Sequence, residues 1–158
     1  MSAYLAVVTL VHVVISVVAL GAGGYVLYGL LRNERLDRAT ALFLATTVAT
    51  SATGFLFPFQ RWLPSHTLAV ISLVALGVAI YARYGRPFVG GWVKAYVATA
   101  VLSLYLNVFV LVVQAFLKVP ALKALAPKQN EPPFVVAQLI VLAVFLGLGA
   151  LAFKRFRG

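Results

Sequence analysis

Cysteine is absent from this 158-residue chain, and acidic residues nearly so: Asp and Glu together number 3. Without thiols there is no disulfide framework, no thiolate nucleophile and no Cys-ligated zinc or iron-sulfur site. Charge of either sign is scarce, since Asp, Glu, Lys and Arg make up 10% of the residues, where a soluble domain carries about 25%. Such a chain cannot cover its own surface with groups that water solvates. It is 63% hydrophobic with a mean hydropathy of +1.03, so its expected solvent is lipid. The shortage of acids also removes reaction classes, because on the side of the histidines Glu131 is the only acid and neither a carboxylate pair nor a Ser-His-Asp set can be assembled there. HExxH is missing, and Gly85-Arg86-Pro87-Phe88-Val89-Gly90-Gly91 lacks the spacing and the Lys-Ser/Thr end of a phosphate loop; it reads as a tight turn.

What the chain does have is long apolar runs. Residues 1–31, 39–60, 62–82, 95–117 and 132–153 hold no Asp, Glu, Lys or Arg, and each exceeds or matches the roughly 20 residues a helix needs to cross hydrocarbon. The expected fold is therefore an all-α integral membrane protein, one bundle of five transmembrane helices over about 8–31, 39–59, 65–83, 94–117 and 133–154. The strands of a transmembrane barrel alternate in polarity over about 10 residues, which these runs do not. The first run lacks a basic leader and is too long for a signal peptide, so it is expected to be retained. With the N-terminus outside, the inner loops and tail hold nine basic residues and the outer side four, Arg61, Lys118, Lys123 and Lys128. That asymmetry places the C-terminus in the cytoplasm. The net charge of +10 then points to anionic headgroups rather than to nucleic acid, which would need a basic stripe on one face. None of the charges lies inside these apolar runs, only at span ends, which argues against coupled transport.

Small residues four apart, Ala19 with Gly23, Ala75 with Ala79 and Ala143 with Gly147, are expected to let backbones approach closely. The run Gly21-Ala22-Gly23-Gly24 marks either such a contact or a bend. Between Arg32 and Arg38 the mixed charges are expected to pair locally. Polar residues inside spans are costly in hydrocarbon and need partners. On the fourth span Tyr96, Thr99, Ser103, Asn107, Gln114 and Lys118 recur at helical spacing, and the second answers with Thr46, Thr47, Thr50, Ser51 and Thr53. Either the hydroxyls bond carbonyls one turn back while Asn107 and Gln114 bond across helices, or the stripe lines a polar pocket between spans two, four and five, with Gln138 near the outer end of the fifth.

Both histidines bear on that pocket. His66 follows Leu63-Pro64-Ser65, a helix start in which Ser65 is the expected cap, and a span ending at Arg32 places His12 near the same outer boundary. The expected ligand set is His12, Thr50, His66, Asn107, Gln114, Glu131 and Gln138. Glu131 sits in a loop whose first part is expected to form a short interfacial helix, with Leu122 and Leu125 toward lipid, and the loop to lid the pocket. Two histidines at equal depth are the minimum for a six-coordinate b-type haem, which would make His12 and His66 its axial ligands. A quinone would instead use His66 and Gln114 as carbonyl partners among Phe55, Phe57 and Phe59. A hydrolytic metal on His12, His66 and Glu131 would lack a base.

The segment Tyr105-Leu-Asn-Val-Phe-Val-Leu-Val-Val-Gln-Ala-Phe-Leu-Lys-Val-Pro-Ala-Leu-Lys-Ala-Leu-Ala-Pro127 with Glu131-Pro-Pro-Phe134 resembles a family of small bacterial inner-membrane proteins of no established activity. Ala52-Thr-Gly-Phe-Leu-Phe-Pro-Phe59 and Pro64-Ser65-His66 are similar to the same group, and together the matches cover about a third of the chain. The resemblance implies a multi-pass protein of the bacterial inner membrane and no particular chemistry. The expected function is a polytopic protein that binds a small ligand in its outer half, or serves another membrane protein as an accessory subunit, without catalysis; the alternative is a haem- or quinone-binding redox protein. Expected partners are membrane lipids, with a second membrane protein or a quinone as further candidates.

Overall fold

A computed structural model describes residues 2–158, and it is all helix and connecting turns. The first helix, α1 (Ala3–Arg32), opens where the Ser2 hydroxyl accepts the Leu5 N–H at 3.3 Å. It closes on Asn33, which takes the left-handed conformation with φ 57°. There the Glu34 N–H reaches the Gly29 carbonyl at 2.8 Å and the Asn33 N–H reaches Leu30 at 3.3 Å, a Schellman ending that reverses the chain in a few residues. Leu36 folds back onto Gly29, where a Cβ would lie 2.6 Å from its Cδ1, so any side chain there would push Leu36 aside. The chain then enters α2 (Asp37–Thr53), which tightens into a 3₁₀ turn over Gly54–Leu56. Next comes α3 (Pro64–Ile80), whose last turn widens to a π-turn over Tyr81–Gly85. A short link through Gly90, at φ 56°, leads to α4 (Gly91–Lys118). A short helix, expected after Lys118, is present as α5 (Pro120–Leu125), and α6 (Pro132–Arg155) completes the described chain.

Five of these helices are long and apolar enough to cross a membrane: α1, α2 with its 3₁₀ extension, α3 with its π-turn, α4 and α6. They run alternately up and down. Their bounds fall within a few residues of those expected, α1 beginning earliest relative to expectation because nothing in Ala3–Val7 breaks a helix. One end of the bundle carries Arg32, Arg35, Arg38, Arg83, Lys94 and Arg155 and is the basic end; the other carries His12 and His66. α1 lies mainly on α2, α3 on α4, and α4 on α6.

The apolar core is concentrated toward the basic end. Val26, Leu27, Leu30, Phe43, Leu44, Leu76, Ala79, Val97, Leu104 and Phe156 interlock there with little or no exposure. Tyr96 is enclosed with them, its hydroxyl donating to Thr40 Oγ1 at 3.3 Å. Ala19 and Gly23 pack as expected, and so do Ala75 and Ala79. In the glycine run only Gly23 makes a close approach, and α1 continues through all three glycines as one helix.

The third small-residue pair departs from expectation. Ala143 and Gly147 are exposed, and α6 instead turns Phe145, Gly149 and Ala152 inward, with Gly149 facing Val101 across a gap of 3.1 Å for a Cβ. The sequence 145, 149, 152, 156 keeps one face on α4 and the core, and the pair at 143 and 147 is rotated away from it. Local charge pairing holds for Arg32 with Glu34 at 2.9 Å and Arg35 with Asp37 at 3.4 Å, while Asp37 also pairs across the fold with Arg83.

Replacing Gly23 by Ala places a methyl 2.5 Å from Leu104 Cδ1 and 2.9 Å from the Phe43 ring, so the expected cost is about 1–3 kcal/mol. Gly24 has open space, and Gly24→Ala is expected to be neutral or to gain up to about 1 kcal/mol from helix propensity. Thermal unfolding of the two variants in the same detergent checks the contrast.

Candidate functional site

Toward the histidine end the facing side chains change from hydrocarbon to hydroxyl, amide and imidazole. α1 presents His12 and Ser16 to α2, four residues apart and therefore on one face. His12 Nδ1 lies 2.8 Å from Thr53 Oγ1, and Thr53 donates its own proton to the Thr50 carbonyl at 3.2 Å. With that proton on the carbonyl the His12 ring donates from Nδ1; with it turned to His12 the roles reverse, and in either case Nε2 stays outside this bond. Ser16 donates to the His12 carbonyl at 2.7 Å and lies 3.5 Å from Thr50 Oγ1. Deeper in the bundle Asn107 Nδ2 donates to Thr47 Oγ1 at 3.3 Å, and Ser51 donates to Ser72 at 3.3 Å. His12, Ser16, Thr50, Thr53 and Asn107 are all half-buried, so this polar seam is neither sealed like the core nor turned out of the bundle.

His66 is held differently. α3 begins at Pro64, which makes Leu63 its cap residue; the Leu63 N–H donates to His66 Nδ1 at 2.9 Å while the His66 N–H bonds back to the Leu63 carbonyl at 3.0 Å. This is the reciprocal pattern of a capping box with imidazole as the acceptor, and Ser65 is not the cap. A backbone N–H can only donate, so the neutral ring carries its proton on Nε2. Phe59, Phe55 and Trp62 surround the ring at centroid distances of 4.7, 5.5 and 5.5 Å, leaving His66 6% exposed. Phe57 stands instead against His12, at 5.4 Å edge to face.

The structure therefore gathers His12, Thr50 and Asn107 along one seam with Ser16, Thr47 and Thr53, and gives His66 an aromatic enclosure of its own. Gln138 lies between α6 and α4, donating to the Phe109 carbonyl at 3.1 Å, while its Oε1 is buried with no partner among the described residues. Gln114 is exposed and is not brought into the seam. Lys118 is likewise exposed, and Thr99 and Ser103 bond carbonyls one turn back on their own helix. Glu131 is a turn builder: its carboxylate accepts the N–H of Lys128 at 3.1 Å and of Asn130 at 3.1 Å. The loop it closes is pinned to α4 by Gln129, whose amide donates to the Val113 carbonyl at 2.8 Å.

These contacts bear on the ligand chemistries. A six-coordinate haem does not fit the geometry, because His66 spends its Nδ1 lone pair on Leu63 and offers only a proton at Nε2, where iron would need a lone pair. The quinone arrangement loses Gln114, and its three phenylalanines are divided between the two histidines. Among the described residues, no three His, Asp or Glu side chains gather as a metal site. Two features lay outside the sequence reading. One is the Ser16 and Thr53 pairing with His12, legible only once α1 and α2 are known to be neighbours. The other is Arg83, which is buried four residues beyond Ala79 on the packed face of α3. No protein-family model, curated protein or solved structure matches the chain.

Two outcomes follow. His66→Ala removes the cap acceptor and is expected to cost about 1–2 kcal/mol, with His66→Gln recovering much of it because an amide oxygen can accept the same N–H; thermal unfolding separates them. Glu131 lies just outside α6, and although desolvation pushes its carboxyl up, the Lys128 and Asn130 amides hold it below its ordinary value of 4.5. A depressed carboxyl stabilises the fold above that ordinary value and loses its contribution as pH falls through the lower folded-state value. Hydrogen exchange at the Lys128 and Asn130 amides, referenced to unstructured peptide at each pH, should therefore lose protection on acidification. Glu131→Gln should lack that acid transition.

Proposed function

We propose that this chain is a multi-pass protein of the bacterial inner membrane, N-terminus outside and C-terminus cytoplasmic, that binds a small polar ligand in the histidine half and carries out no chemistry of its own. The observation that carries this reading is the change in lining along the bundle axis: a closed apolar core at the basic end gives way to half-buried His12, Ser16, Thr50, Thr53 and Asn107. Polar groups in such a place reward a ligand able to hydrogen-bond, and apolar helix faces around them exclude competing water. His12 Nε2 and the spare proton of the Asn107 amide leave hydrogen-bonding capacity along the seam for a polar ligand. Nine of the 13 basic residues lie at the basic end or its tail, which supports the orientation, and the resemblance of residues 105–134 supports the membrane.

The absence of cysteine makes the orientation directly readable. Gln60→Cys should react with a membrane-impermeant maleimide in intact cells and Lys154→Cys only after permeabilisation; the reverse pattern would overturn the topology. For the ligand, native mass spectrometry of protein released in mild detergent should show a small-molecule adduct that His12→Ala with Asn107→Leu removes while the protein stays folded. Higher detergent stability of Asn107→Leu with no adduct in either protein would reduce the seam to interhelical packing.

A further inference from the structure

The basic end holds a feature that the histidine half does not explain. Arg83 is the only charged residue buried in the described fold, with 3% of its side chain accessible. It leaves the π-turn after α3 and lies with its guanidinium 4.3 Å from the Phe88 ring centroid and 5.6 Å from that of Tyr96. One nitrogen, Nη2, donates to Asp37. The other two, Nε and Nη1, are buried and have no partner among the described residues, which leaves three N–H donors unused. Asp37 does not balance the site alone, because it is 67% exposed and shared with Arg35.

Beside Arg83 the surface opens into a cavity of about 380 Å³ lined by Arg35, Asp37, Arg38, Ala41, Arg83 and Tyr84. Three guanidiniums face one carboxylate there. The first turn of α2 forms one wall, and its cap residue Leu36 offers no side-chain acceptor, so the positive end of the helix dipole adds to the field. A smaller enclosed space of about 10 Å³ on the core side also touches Arg83 and has room for one water. One water cannot satisfy three donors and neutralises no charge.

We infer that this cavity binds a phosphate ester, with Arg83 as the buried anchor and Arg35 and Arg38 closing on the remaining oxygens. A phosphate suits it better than a carboxylate: the tetrahedral group offers oxygens to several planar forks at once, and its charge, one on a diester and up to about two on a monoester, offsets the surplus of guanidinium over carboxylate. Arginine supplies every cation in the lining, as expected where geometry matters as well as charge. The phosphate is that of a phospholipid headgroup or of a soluble phosphate compound, and the same chemistry serves both. The inference is independent of the ligand proposed for the histidine half, which lies at the other end of the bundle.

The test uses the full chain in a nonionic detergent and follows Tm as dioleoylphosphatidylglycerol, dioleoylphosphatidylcholine or inorganic phosphate is added, with chloride at matched ionic strength as the control. The working variant is Arg35→Gln with Arg38→Gln, since both side chains are exposed and its Tm without additive should stay within a few degrees of wild type. Phosphatidylglycerol should raise the wild-type Tm saturably, and the double variant should need at least tenfold more to reach half the effect. Saturation by phosphatidylglycerol alone assigns the site to a lipid headgroup; saturation by inorganic phosphate, lost in the double variant, assigns it to a soluble phosphate compound. Arg83→Lys keeps the charge without the fork and should weaken the same response. The inference is overturned if the double variant responds as wild type does, or if neither phosphatidylglycerol exceeds phosphatidylcholine nor phosphate exceeds chloride.

Discussion

The close meeting of three helices at Gly23 sets the spacing on which the rest depends. At that position α1 comes so near α2 and α4 that even one added carbon would overlap Phe43 and Leu104. Because Gly23 has no side chain, Phe43 and Leu104 pack directly onto the α1 backbone, and α1 sits close enough to its neighbours for hydroxyls to meet. His12 and Thr53, Ser16 and Thr50, and Asn107 and Thr47 all meet across interfaces brought together in this way. A larger residue at 23 would separate α1 from both partners and leave short polar side chains facing gaps they cannot bridge.

The same contact divides the bundle in two. Below it, toward the basic end, large apolar side chains fill the space and Tyr96 is the deepest polar group, satisfied by Thr40. Above it the helices keep approaching through small hydroxylated residues, which hold the backbones together by hydrogen bonding. Dispersion stabilises one half and directional bonds the other.

The spans were legible because uncharged runs of 20 residues have few other uses, and the turn after α1 because Asn33 and its charged neighbours punctuate a chain otherwise almost free of charge. The faces were harder to read. Ala143 with Gly147 and Gly149 with Ala152 are equally good small-residue pairs on different sides of α6, and a helix apolar all round carries no marker of which side meets α4. Gln114 shares the stripe of Asn107, but seven residues further along α4 is about 10 Å higher, where α2 has already ended in its 3₁₀ turn and offers no partner. The His66 cap was legible in principle: proline prefers the first helical position, which makes Leu63 the cap and puts His66 at the third, where a side-chain acceptor reaches back. The polar seam itself was half visible, since spacing identified the residues on α2 and α4 while their pairing with α1 required the fold.

Arg83 is the place where local chemistry and burial disagree, and the disagreement is informative. A buried cation held by a single exposed carboxylate recovers little of its lost hydration, and aromatic faces return only a part of it. Its neighbours on the packed side of α3 are Ala79 and Leu76, so an apolar residue at 83 would continue the core without cost. A charge retained there, with donors left over and two further arginines turned to the same cavity, is what an anion site needs and what a stabilising core does not. On this argument the exposed Asp37 has the secondary part: it orients one edge of the guanidinium, fixing the fork for an oxyanion on the other, as second partners orient the primary ligands of a metal site.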